Sequence, residues 1–255
     1  RGARVYNDAD WRLTLLGAGG VPVEQRQWRL RNGLFPEIQA IWGIDAILEN
    51  DITLTNLLPS VEFSRLFWTA QFTHRSDIVP VLLAMAGTTH VAELRDPTSA
   101  DRPIRIVPLS NRRFYFADQI ANGPLSQLFT ARFSPHVAFT DVAPFVPAPG
   151  RIVRTIEQPN AIDIDVETNG QALLVISVTR HKYWKGIMDG MPSPPHPANA
   201  AFQCFVVPPG KHHIALRYRN PLVMIFGVVS LVTFVALLIV ACVPRSRALP
   251  PPSPH

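Results

Sequence analysis

Between residues 151 and 218 apolar and polar positions alternate with a period of two. Ile162, Ile164 and Val166 interleave with Asp163, Asp165 and Glu167, the pattern of a strand with one buried and one wet face. Asn169-Gly170 follows, and then the β-branched run ALLVISVT over 172–179. The pair reads as a hairpin whose two central residues tolerate positive φ. Residues 185–188 lead into a second tight-turn dipeptide, Asp189-Gly190. Residues 200–207 and 212–218 are two more strands, separated by Pro208-Pro209-Gly210-Lys211. With 152–157 this makes about six short strands and almost no helical periodicity, which predicts an antiparallel, jelly-roll-like β-sandwich over 151–219.

Upstream the period changes. Leu54, Leu57, Leu58, Val61, Leu66 and Phe67 recur at roughly helical spacing, and IVPVLLAMA over 78–86 is an apolar run closed by Gly87. Strand-like segments follow at 90–94, 104–108 and 113–116. Residues 1–115 therefore read as a mixed α/β segment. Residues 116–150, which include VAPFVPAP at 142–149, read as a Pro-rich connector, because proline cannot donate to a sheet ladder. The same holds for MPSPPHP at 191–197. The expected fold class is α+β and β-rich.

The last pattern is an unbroken one. From 221 to 243 the chain reads PLVMIFGVVSLVTFVALLIVACV, with no charge between Arg219 and Arg245. At about 1.5 Å per residue this run spans roughly 34 Å, enough for a hydrocarbon core of about 30 Å. It predicts one transmembrane helix, with the lipid bilayer as partner and with Ser230 and Thr233 bonding back to the helix backbone. Residues 244–255 form a short basic, Pro-rich tail. Arg245 and Arg247 would place that tail in the cytoplasm and residues 1–219 outside it. The chain opens on Arg1-Gly2-Ala3-Arg4 without an apolar leader, so the expectation is the C-terminal piece of a longer protein with further helices upstream.

Composition narrows the classes. Of 255 residues, 25 are Pro and 14 Gly, with 47% apolar and 17% charged, against about 25% charged in ordinary domains. This excludes a charged coiled coil, a solvated disordered chain and a basic nucleic-acid tail, so no nucleic-acid partner is expected. Two Cys cannot make a disulfide framework. His212 and His213 are adjacent and point to opposite faces of a strand, poor geometry for a single ion. Asp163, Asp165 and Glu167 share a face that would suit either a calcium ion or plain solvent. GAGG at 17–20 lacks the Lys and the strand-to-helix context of a phosphate cradle, and no G-x-S-x-G elbow occurs. No catalytic residue, metal site or cofactor is predicted. The densest cluster is Arg180-His181-Lys182-Tyr183-Trp184-Lys185, just ahead of Asp189-Gly190. A Trp beside hydrogen-bond donors and a carboxylate suits a sugar, which offers an apolar face for stacking and hydroxyls for bonding; packing of Trp184 into the sandwich core is the other reading.

At this cluster the sequence resembles a known family. Tyr183-Trp184-Lys185, Asp189-Gly190, Ala198-Asn199, the run 207–212 (VPPGKH), then Tyr218 and Pro221 ahead of a terminal span are similar to the end of the YfhO-type bacterial membrane proteins. Trp42-Gly43-Ile44, LAMAGTTHV at 83–91 and Arg113-Phe114 resemble weaker motifs of that family. The resemblance implies a polytopic inner-membrane protein related to the GT-C glycosyltransferases, which glycosylate cell-envelope polymers from a polyprenyl-phosphate-linked sugar. It places the catalytic carboxylates in early loops outside this sequence. It leaves Trp184, Lys185, Tyr183 and Asp189 as candidate glycan-binding residues, with Asp189 mainly a turn residue. A structural or partner-docking module of the membrane protein is the alternative function, and a tail-anchored hydrolase is a third class for which no nucleophile or paired-carboxylate signature is present.

Overall fold

The computed structural model describes residues 4–7, 45–47, 58–94 and 104–242. GAGG at 17–20, Trp42-Gly43-Ile44, Leu54, Leu57 and the basic tail lie outside these residues. The chain divides into two compact units, Arg1–Arg217 and Tyr218–His255.

The first unit is β-rich. It begins with a four-stranded sheet in the order β2-β1-β3-β4, formed by β1 (Arg4–Asn7), β2 (Asp45–Ile47), β3 (His90–Leu94) and β4 (Ile104–Pro108). β1 runs parallel to both β2 and β3, and β3–β4 is antiparallel. Between β2 and β3 come helices α1 (Leu58–Phe72) and α2 (Val79–Met85). The buried stripe of α1 is Phe63, Phe67 and Ala70, while Leu58 and Val61 are solvent-exposed. Spacings of four and seven from Phe63 return to one face at 3.6 residues per turn, and Leu58 and Val61 fall off it. The stripe joins Leu82 and Met85 of α2 in one core.

A β-sandwich follows. One sheet has the order β13-β14-β10-β5, from β5 (Phe114–Phe116), β10 (Ala172–Ile176), β13 (His196–Ala198) and β14 (Phe202–Val207), all antiparallel. The second has the order β12-β11-β15-β9-β8, from β8 (Gly150–Gln158), β9 (Ala161–Thr168), β11 (Trp184–Met188), β12 (Met191–Pro192) and β15 (Gly210–Tyr218). Between them Leu174, Ile176, Phe205 and Val207 of the first sheet pack on Ile162, Ile164, Val166, Ile214 and Leu216 of the second. A two-stranded parallel ribbon, β6 (Gln119–Ala121) and β7 (Val137–Phe139), and a short 3-10 helix, Leu125–Phe129, occupy part of 116–150.

The Asn169-Gly170 step does not close a hairpin. β9 pairs with β8 and β15, whereas β10 pairs with β14 and β5, so the dipeptide carries the chain from one sheet to the other. The reason lies in the side chains. β9 alternates between fully and partly buried positions, as a strand with a solvated face must, while all five residues of β10 are buried. A strand apolar on both faces needs cover on both. It finds the inter-sheet core on one side and a second cluster, with Tyr115, Ala138 and Cys204, on the other. Burial pushes the Cys204 thiol up to about 12, so it behaves as a small apolar side chain.

The second unit contains α3 (Pro221–Cys242). Asn220 caps it, its Oδ1 accepting from the Leu222 N–H at 3.0 Å, and Pro221 stands at the first helical position, where a missing N–H costs nothing. Thr233 Oγ1 donates back to the Val229 carbonyl at 2.9 Å. Residues Pro221–Ile239 are long and apolar enough to cross a membrane, and none of that stretch is buried.

Candidate functional site

Two neighbouring features of the sandwich gather the polar chemistry. The first is a cleft of about 950 Å³ whose walls include Arg180, Lys182, Trp184, Lys185, Ile187 and Gln203. Alternation along β14 places Gln203, Phe205 and Val207 on one face, and Phe205 and Val207 belong to the inter-sheet core. Gln203 thus occupies a core-facing position where the apolar filling gives way to the cleft. Its amide is fully buried, and neither Oε1 nor Nε2 has a hydrogen-bond partner among the described residues. Trp184 is half-buried, packing against the inter-sheet core and also lining the cleft. Gly186 sits beside it, and a Cβ there would collide with the Ser193 carbonyl and the Phe205 ring. The Ser193 N–H donates to the Gly186 carbonyl at 3.0 Å, which draws the proline-rich 193–195 stretch onto the strand that carries Trp184.

The cleft brings together Trp184 and Lys185 but not the other two candidates. Tyr183 turns to His181, with ring centroids 4.7 Å apart, and Lys182 Nζ lies 5.2 Å from the Tyr183 ring centre. Asp189 belongs to the second feature, the turn between β11 and β12, where Met188 pairs with Met191. Asp189 and Gly190 have φ of 52° and 82°, the left-handed values a tight turn requires. Asp189 accepts from the His213 N–H at 2.8 Å through Oδ1 and lies 2.6 Å from His212 Nδ1 through Oδ2.

The wet face of β9 is occupied by partners within the protein. His213 Nδ1 is 2.7 Å from Asp165, Arg217 is 2.5 Å from Asp163, and Arg151 is 2.6 Å from Glu167. Each carboxylate therefore has a neighbouring cation or imidazole, and no group of three or more metal-ligating side chains is assembled among the described residues.

The Asp189–His212 contact has a pH signature. The hydrogen bond from His212, followed by that from the His213 backbone, holds the Asp189 carboxyl below its usual range. The bond to Asp189 raises His212 against the opposing effect of burial. A raised histidine stabilises the fold fully below its unfolded pKa of about 6.5 and loses that contribution as pH rises through the folded value. A depressed carboxylate contributes above about 3.9 and loses it as pH falls through its folded value. The turn is thus held best between about pH 4 and 6.5. Thermal unfolding from pH 5 to 8 should show a decline at the upper end that Asp189→Asn largely abolishes; a variant with the same slope as the parent chain would contradict the assignment.

Gln203 is the site residue that the strand patterns left out. Its signal was a polar residue in phase with Phe205 and Val207 on an otherwise apolar face. Comparison with protein-family models, with curated proteins and with solved structures found no match to this chain.

Proposed function

We propose that the chain is the extracytoplasmic C-terminal region of a YfhO-like bacterial inner-membrane protein of the GT-C glycosyltransferase type, anchored by α3, and that its sandwich helps position a glycan. The observation that carries the glycan part is the cleft: an indole on a largely apolar wall, a buried amide with both polar atoms unpartnered, and cationic donors at the rim. A pyranose matches this set, with its apolar face on Trp184, a hydroxyl pair on Gln203 and further oxygens on Lys185. The family part is supported by where the resembling residues fall. Asp189, Gly190, Asn199 and Gly210 all have positive φ, and His212 bonds the turn. These are positions where the fold leaves few alternatives, and a shared fold would keep them. The polymer acceptor, the polyprenyl-phosphate-linked donor and the upstream helices belong to the same proposal.

A bracing or docking role is the second reading, favoured by the packing of Trp184 against the inter-sheet core. Titration separates the two. With the full chain in nanodiscs and a panel of neutral and acidic hexosides as probes, saccharide binding should perturb tryptophan emission. Trp184→Ala should weaken it about tenfold, or about 1.4 kcal/mol, with Trp184→Phe recovering most of the loss. Absence of binding by every saccharide, or equal affinity in Trp184→Ala, would overturn the glycan reading in favour of bracing.

A further inference from the structure

Resting on the glycan reading, we infer that the cleft selects a saccharide bearing an anionic group, a carboxylate or a phosphate, over a neutral sugar. The charge of the walls is one-sided. Arg180, Lys182 and Lys185 line the cleft, and none of its described lining residues is Asp or Glu. All three side chains are exposed. A neutral-sugar site would have reason to place a carboxylate among its acceptors, because sugar hydroxyls donate as well as accept. Here the one side-chain amide that can accept is Gln203, at the buried end, and the charged groups Arg180, Lys182 and Lys185 can only donate. Arg180 also borders an adjacent cleft that carries Glu62 and Asp141. That leaves Lys185, and Lys182 whose Nζ also lies 5.2 Å from the Tyr183 ring centre, as the cations lining an acid-free wall, one on each side of Trp184 in the chain. Asp189, four residues along the chain from Lys185, is committed to His212 and to the His213 backbone.

The geometry divides the ligand into parts. A ring face lies on Trp184, ring hydroxyls reach the Gln203 amide, and the anionic substituent points outward between the two ammonium groups. Gln203 argues against a purely superficial anion patch. Leaving a buried amide without partners is costly, and an occupant that enters the cleft deeply enough to bond it removes that cost. A lone inorganic anion held at the rim would leave the amide unsatisfied.

The test uses the full chain in nanodiscs of zwitterionic lipid, with calorimetric titration of methyl glucoside, glucuronate, glucose 1-phosphate and inorganic phosphate. Both acidic sugars should bind at least tenfold tighter than methyl glucoside. The double variant Lys182→Gln, Lys185→Gln should abolish that preference, bringing the acidic sugars down to the affinity of methyl glucoside in the same variant, and Gln203→Leu should weaken all three sugars. Equal affinity for neutral and acidic sugars would overturn the inference and leave the glycan reading standing. Failure of every sugar would overturn both. Inorganic phosphate binding as tightly as glucose 1-phosphate would reduce the cleft to a simple anion site, and displacement of glucuronate by nanodiscs containing phosphatidylglycerol would assign it to lipid headgroups; either result overturns the saccharide inference.

Discussion

Replacing Asn199 with alanine is expected to destabilise the first unit by about 3–5 kcal/mol, a large share of a domain's usual margin. Asn199 is fully buried in the loop between β13 and β14. Its Oδ1 accepts from the Phe139 N–H at 2.8 Å, its Nδ2 donates to the Tyr115 hydroxyl at 2.9 Å, and its own N–H donates to the Phe139 carbonyl at 2.7 Å. One side chain therefore ties β7 and β5 to the β13–β14 loop. Alanine would leave the Phe139 N–H unpaired and remove the amide that donates to a buried phenol, whose own hydroxyl reaches the Val137 carbonyl at 3.5 Å. Burial raises the Tyr115 pKa well above its ordinary value, so the hydroxyl stays neutral and its hydrogen bonding is not rescued by ionisation. The backbone adds to the loss. Asn199 has φ of 48° and Ala200 of 60°, and asparagine tolerates the left-handed region better than alanine does. Tyr115→Phe removes only the two phenolic bonds, the one to Val137 being long, and should cost about 1 kcal/mol. Denaturant unfolding of the two variants, followed by tryptophan emission, checks both values; an Asn199→Ala midpoint within error of the parent chain would refute this role.

Asn199 also shows where sequence patterns stop being informative. The alternation over 162–167 identified β9 and its buried face directly, because period two with acidic partners admits one orientation in a half-solvated sheet. The run over 172–179 was legible as a strand, which the structure ends at Ile176, yet its pairing was not. Asn169-Gly170 suits a tight hairpin as well as it suits a crossing between sheets, and the choice depends on which sheet offers cover for two apolar faces. Helix α1 was legible in kind but not in face, since Phe63 and Ala70 complete its buried stripe and Leu58 and Val61 do not. The cluster around Trp184 pointed to one wall of the cleft. It did not separate Tyr183 and Asp189 from Trp184 and Lys185, because neighbours in a strand and its turn face different surroundings. Gln203 comes to the same cleft from β14 on the other sheet, a proximity produced by sheet order alone.

The second large effect is expected in α3. Its apolar side chains face outward on every side, with Leu231 61% and Leu238 49% exposed, and none of the described residues of its own unit covers them. Water is a poor solvent for such a surface, at roughly 25 cal/mol for each Å² of apolar area, whereas a bilayer satisfies it all round and the helix already satisfies its own backbone. Thr233 fits that environment because its hydroxyl is bonded to the Val229 carbonyl. Leu231 and Val235 stand four residues apart near the middle of the helix and therefore on one face. Replacing them with Arg and Lys places two charges where each costs about 2.5–3.5 kcal/mol on an insertion scale. The full chain expressed in bacteria should resist alkaline carbonate extraction from the membrane fraction. The Leu231→Arg, Val235→Lys variant should become extractable or appear in the soluble or aggregated fraction, and Leu231→Val with Val235→Leu should remain in the membrane. Retention of the charged variant as strongly as the parent chain would show that α3 is not held by the bilayer interior, and with it the anchored arrangement proposed for the sandwich would fail.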